Sequence, residues 1–244
     1  MNDLKHFFDE GMLKPAESGF SVLSFNVHLG GMLADFSGFY DLPAVLKTLS
    51  ADIGVFQEIS LSKDGSPPLR EVLSGEYHLS EPPAGPLRWE DNGVAAFSLA
   101  VASRFPILDT QILPLMSASD NRRSAALSTI IDTPLGEVTV IGVHMTTEFL
   151  PAGSAVQVAS LAQHVRKIEG PVVIAGDHNL WRTVVRGLLP RDFKPSFEAA
   201  TWPAKHPHSQ IDHIWVRGLQ AHGCVLPDQG SDHLPAIAHI TSTK

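Results

Sequence analysis

Runs of apolar residues that end abruptly in polar clusters set the rhythm of this chain. In VVIAGDHNL, residues 172–180, Val172 to Ala175 run straight into Gly176, Asp177, His178 and Asn179. FSVLSFNVH (20–28) and ADIGVFQEI (51–59) read as strands of the same kind, ending at Asn26 and His28 and at Gln57 and Glu58. A further apolar strand runs from Gly93 to Val101 and into SRFPI. SAALSTIID (124–132) and VTVIGVHM (138–145), joined by TPLGE, predict a β-hairpin. Helical spacing marks LPAVLKTLS (42–50), with Asp41 as its cap and Pro43 in its first turn. The same spacing marks AVQVASLAQHVRKI (155–168). Leu4, Phe7, Phe8 and Met12 predict a short amphipathic helix that stops by Pro15, and LREVLSG (69–75) another short helix. KDGSPP (63–68) and the stretch after Tyr77 read as loops. TWPAKHPHSQIDHIWVRG and, last, GSDHLPAIAHI complete the chain after a helical or irregular stretch.

Strands and helices alternate, and the strands are apolar on both faces. Both features predict sheets covered by helices, an α/β or α+β layered fold. VLSFNVH and VVIAGDHN suggest two similar halves facing each other, which would bring both polar tips into one cleft. No Ser/Gly-rich linker and no charge block divides the chain, so residues 1–244 read as one domain, with 1–19 as an N-terminal extension or helix.

Composition narrows the class. With 43% hydrophobic and 18% charged residues, disorder is excluded as the general state. A net charge of −8 disfavours a nucleic-acid partner without excluding one, because a small basic groove can sit on an acidic body. Cys224 is the single cysteine, so neither an intrachain disulfide nor a thiolate metal cluster can form. MNDLKHFFDEGMLKP lacks the apolar core of a secretory signal, and no run approaches the ~20 apolar residues of a membrane span. The expectation is a soluble, cytoplasmic protein.

The chemistry lies at the strand ends: Asn26 and His28, Glu58, Arg104, His144, Asp177 and Asn179, Asp212 and His213, Asp232 and His233. In layered sheets a row of strand ends forms a rim, and such rims host sites. Clustered carboxylates repel one another unless a divalent cation, histidines, or both relieve the charge. Oxygen donors without thiolate suit Mg²⁺ or Mn²⁺. Taken singly these residues have plainer readings. Asn26 alone is a strand-end cap, Glu58 alone a solvated residue, His144 alone a core histidine. Arg104 before Phe105 and Pro106 closes a turn or joins the rim, and Trp202 in TWP is a packing anchor or a substrate stacker. Their joint occurrence favours a site.

SFNVH, VFQE, SRFPI, GVHM, AGDHN, QIDHIWV and SDHLP, in this order, resemble the endonuclease/exonuclease/phosphatase superfamily, the deoxyribonuclease-I-like enzymes. That resemblance implies a four-layer α/β/β/α sandwich, two packed mixed β-sheets flanked by helices. It implies a Mg²⁺- or Mn²⁺-dependent phosphoesterase that hydrolyses a phosphate mono- or diester by in-line attack of an activated water. Carried over by motif, Glu58 is the main metal ligand, Asn26 binds the metal's shell or the phosphate, and Asp232 touches the metal or a second one. Asp177 orients or deprotonates the water, and Asn179 holds the phosphate or that aspartate. His144 and His233 donate to phosphoryl oxygens, and Asp212 fixes His233.

The chain also departs from its relatives. His178 stands where they usually carry Phe, and either fills that space or adds a donor beside Asp177. His28 replaces an aspartate of the AP endonucleases, and His144 a tyrosine. Phosphate-gripping cations are few: Arg88, Arg122, Arg123, Arg182, Arg186 and Lys205, of which DNRRS (120–124), with Arg123, is the best cluster or else a solvated turn. TEFLPAG (147–153) presents Phe149 and Leu150, and LSEPPAGPLRWED (79–91) presents Trp89 as a cleft contact. A phosphoesterase acting on a modest ester is the first reading, a DNA or RNA nuclease of the same fold the second, and a catalytically silent binding module the third.

Overall fold

The structure, a computed structural model, describes residues 19–28, 41–60, 73, 75–80, 88–91, 95–117 and 125–243. The helix expected over Leu4–Met12, the KDGSPP loop, most of LREVLSG and the DNRRS cluster lie outside the described residues.

Among the described residues, one mixed sheet of seven strands holds β1 (Phe20–Asn26), β2 (Ile53–Ser60), β3 (His78–Ser80), β4 (Arg88–Asp91), β5 (Ala95–Ser103), β12 (Leu219–Val225) and β13 (Ala236–Ser242). Its order is β12-β13-β1-β2-β5-β3, with β4 also paired to β5. The second, six-stranded sheet holds β6 (Ile107–Pro114), β7 (Ala125–Thr133), β8 (Gly136–His144), β9 (Val172–Asp177), β10 (Lys194–Pro195) and β11 (Asp212–Arg217), in the order β10-β11-β9-β8-β7-β6. The β1–β2 and β8–β9 pairs are parallel and the others antiparallel. Among the described residues three helices join them: α1 (Leu42–Leu49), α2 (Ala152–Val165) and α3 (Arg182–Leu188).

Side-chain alternation makes the layers. Val22, Val55 and Val101 point inward to one shared core with Leu127, Val140, Val173 and Val216 of the opposite sheet. The intervening positions face outward. Leu23, Phe25 and Phe56 bury Leu46 and Leu49 of α1. Ile141, Val143, Ile174 and Trp215 bury Val158, Leu161 and Val165 of α2 and Val185 of α3. Central strands therefore read as continuous apolar runs, because each face meets a different core. The result is the expected α/β/β/α sandwich. At α1, the Asp41 carboxylate accepts the Ala44 N–H at 3.1 Å, and Pro43 sits in the first turn, where no partner for its nitrogen is needed.

Strands β6 and β12 carry no clear period in the sequence. Both lie at sheet edges, where one face is solvated and the alternation of burial breaks down.

Register decides where the polar tips go. Asn26 lies beside Gln57 across β1 and β2, and His144 beside Asp177 across β8 and β9. Asp212 opens the antiparallel β11 opposite Asp177. These tips share one edge of the sandwich. There the Asn26 amide donates to Asp177 Oδ2 at 3.3 Å, joining the two sheets.

Candidate active site

Two strand tips are bent to deliver carboxylates. In β2 the ladder to β5 slips between Phe56 and Ile59, and Glu58 adopts φ 54°. A bulge of this kind redirects a side chain out of the pleat, and a non-glycine residue at positive φ is held there only by its surroundings. At the tip of β9, Gly176 has φ 142°, and a Cβ there would lie 2.0 Å from the Val143 carbonyl oxygen. Glycine alone permits that approach of β9 to β8. Asn179 follows at φ 46° and turns its amide back: its backbone N–H donates to Asp177 Oδ1 at 2.8 Å and its Nδ2 to Asp177 Oδ2 at 3.2 Å and the Met145 carbonyl at 3.0 Å. Asp177 is buried and its carboxylate is fixed in orientation.

Glu58 and Asp177 converge. Asn26 Nδ2 lies 3.4 Å from Glu58 Oε1 and 3.3 Å from Asp177 Oδ2. His144 Nε2 lies 3.6 Å from each of the same two oxygens. His233 completes the cluster: its Nδ1 is 2.9 Å from Asp212 Oδ2, and its Nε2 is 3.8 Å from Asp177 Oδ2 and 3.9 Å from Asp232 Oδ2. Burial alone would push the His233 imidazole toward its neutral form. The charges of Asp212 and Asp177, the bond to Asp212 and the charge of Asp232 outweigh it and raise its pKa to about 10.

The donor set fits a hard divalent cation. Glu58, Asp177, Asp212 and Asp232 gather around this cluster, and among the described residues no lysine or arginine lines the cleft. One cationic imidazole leaves negative charge that a divalent ion offsets, and the donors are oxygens. Asp177, Asp212 and His233 also bring one ligand atom each within 4.8 Å of one another. Within this trio Asp212 Oδ2 lies 2.9 Å from His233 Nδ1, and Glu58 adds a further carboxylate beside Asp177 that could hold a metal.

Several expected residues lie elsewhere. Arg104 is not at the rim. It follows the end of β5 that pairs with Ile53, at the start of β2, roughly 17 Å along the strand from Glu58. Its guanidinium bonds Tyr77 Oη and Ser50 Oγ, each at 3.0 Å, and pairs with Glu76 at 3.4 Å; it closes the turn at the far edge. Arg182 places its guanidinium on Glu198 at 2.6 Å. Arg123 lies outside the described residues, as does the side chain of Trp89, whose backbone pairs with Phe97 between β4 and β5. Asp232 is held by His28 Nδ1 at 2.9 Å and by Trp202 Nε1 at 3.4 Å, which ties the β13 approach to the end of β1. Trp202 therefore lines the cleft besides packing.

The family model described as the endonuclease/exonuclease/phosphatase family matches residues 23–233, from the middle of β1 to His233. The chain belongs to the endonuclease/exonuclease/phosphatase family. Solved structures share its fold. An endonuclease/exonuclease/phosphatase from Beutenbergia cavernae is 20% identical with a TM-score of 0.72, covering 93% of this chain and 72% of that one. The human Nocturnin catalytic domain with bound sulfate is 17% identical with a TM-score of 0.70, covering 95% and 96%. Staphylococcus aureus beta toxin is 19% identical with a TM-score of 0.69, covering 90% and 99%. No curated protein matches the chain. Membership of this endonuclease/exonuclease/phosphatase family supports a phosphoester hydrolase.

Within this endonuclease/exonuclease/phosphatase chain, His178 faces away from the cleft. It is fully buried, its Nδ1 bonds the Gly176 carbonyl at 2.9 Å, and its ring stacks edge-on against His213 at 4.9 Å. His213 bonds the Leu180 carbonyl at 2.8 Å and leans on Trp215, so it too belongs to the helix-facing layer and not to the rim. Burial pushes His178 down to about 4, against the Gly176 bond and the Asp212 charge, and drives His213 well below its ordinary value. The unfolded chain binds protons near pH 6.5 that the native pair refuses, so stability falls as pH drops below that value. For His178 alone, about 3 kcal/mol is lost by pH 4. Urea titrations of His178→Phe should show a shallower loss of stability as pH falls from about 7 to about 4; an unchanged slope would mean that His178 titrates normally.

Sequence reasoning overlooked several supports of the site. Ser231 Oγ donates to the Asn26 carbonyl at 2.7 Å. Gln157 Oε1 accepts the Thr146 N–H at 2.7 Å, and Ser154 Oγ reaches the Thr146 and Asn179 carbonyls at 2.9 and 3.1 Å, tying the loops after β8 and β9 to α2. Polar residues in an otherwise apolar helix face were the available signal.

Proposed function

We propose that this chain is a Mg²⁺- or Mn²⁺-dependent phosphoesterase that hydrolyses a phosphate mono- or diester by in-line attack of water. The observation that carries this reading is the convergence of Asn26, Glu58, His144, Asp177, Asn179 and His233, drawn from both sheets, in one cleft of about 480 Å³. Glu58 would hold the cation, with Asp232 nearby, and Asn26 would orient Glu58 through its amide N–H. A divalent ion bound there supplies charge stabilisation to the phosphoryl oxygens.

The chain's own groups do the rest. Asp177 takes the proton of the attacking water, and Asn179 and Asn26 keep its carboxylate aimed. His233 enters as the imidazolium and donates Nε2–H to a non-bridging oxygen, while Asp212 on Nδ1 holds the ring's orientation and charge. His144 offers a second donor, its Nε2 3.6 Å from the same Asp177 oxygen that His233 approaches. Burial of the cluster strengthens each of these interactions.

Two measurements test this. Purified protein should hydrolyse bis(p-nitrophenyl) phosphate or a phosphomonoester with Mn²⁺ or Mg²⁺ and stop on chelation. Calorimetry of Glu58→Gln should show metal affinity weakened by about tenfold or more; unchanged affinity would move the metal to other ligands. A nuclease is the second reading, favoured by one neighbour: D. rerio TDP2 is solved with a single-strand DNA product, at 17% identity and a TM-score of 0.70. The net charge of −8 weighs against it. Cleavage of plasmid, single strands or RNA at low salt would favour the nuclease.

A further inference from the structure

The cleft has two unlike walls. The seven-stranded sheet and its approaches contribute Asn26, Glu58, Asp232 and His233, all polar. The loops at the ends of β8 and β9 and before β11 contribute an apolar stretch, Leu150, Pro151, Leu180, Trp181, Trp202 and Ile211, beside the polar Thr147, Asn179 and Ser209. Three members of this apolar stretch are left open to solvent: Trp181 is 54% exposed, Leu150 52% and Trp202 36%. Exposed large apolar side chains gathered in one cleft carry a desolvation gain that nothing else in the described residues collects.

The backbone is hydrogen-bonded beneath both exposed indoles. Trp181 caps α3, and its carbonyl accepts the N–H groups of Val184 and Val185 at 2.9 and 3.1 Å. Trp202 exchanges backbone bonds with Ser209, both at 3.0 Å, and its indole N–H reaches Asp232. An indole has only two side-chain torsions to lose when a ligand covers it, and indoles favour flat partners. The cleft volume of about 480 Å³ is that of a small-molecule site.

From this we infer that the substrate is a small phosphate ester carrying one flat, uncharged aromatic group, which lies on the Trp181–Leu150–Trp202 wall while its phosphate meets the polar wall. The inference rests on the phosphoesterase reading for the reaction but not for the wall. Trp181 and Leu150 are specificity residues here and touch no reacting atom.

The test is a binding comparison in Mn²⁺ by calorimetry, using benzylphosphonate and methylphosphonate, with turnover of bis(p-nitrophenyl) phosphate measured on the same preparations. Wild type should bind benzylphosphonate about tenfold more tightly than methylphosphonate, the order expected for an added buried ring. Trp181→Ala should bring the two within about threefold by weakening benzylphosphonate alone, Trp181→Phe should restore most of the gap, and Leu150→Ala should reduce it less. Equal affinities in wild type, or a Trp181→Ala loss that falls on both phosphonates alike, overturns the inference. So does an oligonucleotide that binds more tightly than benzylphosphonate and survives Trp181→Ala. Turnover without an aryl preference defeats the wall and leaves the phosphoesterase; a Trp181-dependent preference without turnover of any ester supports the wall and defeats only the phosphoesterase.

Discussion

Replacing Asp177 by Asn lowers kcat about 10³-fold while the protein stays folded, if Asp177 is the base that takes the water's proton. The amide matches the carboxylate in shape but accepts no proton. It also places an N–H₂ where Asp177 now receives donors: Asn179 N–H on one oxygen, Asn26 and Asn179 Nδ2 on the other. One donor then faces another, at about 1–3 kcal/mol. Steady-state kinetics beside a thermal melt separates the two effects. A folded variant that works within about tenfold of wild type would remove Asp177 from the chemistry.

Asp212→Asn produces the second large loss, about 10²–10³-fold in kcat, and it acts through His233. Asp212 is the strongest of the charges that keep this buried imidazole protonated, at a pKa of about 10. Without it, His233 sheds its proton at a lower pH, and the donor Nε2–H loses its charge. The alkaline limb of the pH–rate profile then moves down by at least about one unit. Stability follows the same linkage. The folded pKa lies above the unfolded value of 6.5, so the stabilisation is complete below that pH and is lost as pH rises through about 10. Wild-type melting temperature should therefore fall across this window, and Asp212→Asn should flatten the fall. A proton NMR titration of His233 that is the same in both proteins would show that Asp212 does not set its charge.

Which parts of this protein were legible in advance follows from how each is held. The central strands β1, β2, β5, β7, β8, β9 and β11 bury both faces, so their composition announces them, and the polar residues that end them stand out against it. Edge strands β6 and β12 lack that contrast. The motif residues Asn26, Glu58, His144, Asp177, Asn179, Asp212 and His233 do meet in one place, because parallel and antiparallel registers bring their strand ends to a shared edge. Arg104 failed as a rim residue because an antiparallel neighbour ends where its partner begins, a fact of strand direction that no local pattern records. His213 failed for the pleat: it alternates with Asp212, and only one of two successive residues can face the cleft.

By itself the sequence determined the layered class, the strands with two buried faces and the oxygen-and-imidazole chemistry, since these depend on residue type and on periods of a few residues. Tertiary structure alone decided that Glu58 turns out of its ladder, that His233 is held charged by Asp212, and that an apolar stretch lines the cleft beside its polar cluster. Those outcomes depend on distances between segments far apart in the chain, as with Asn26 and Asp177, 151 residues apart and 3.3 Å from amide to carboxylate, and separation along the chain carries no trace of them.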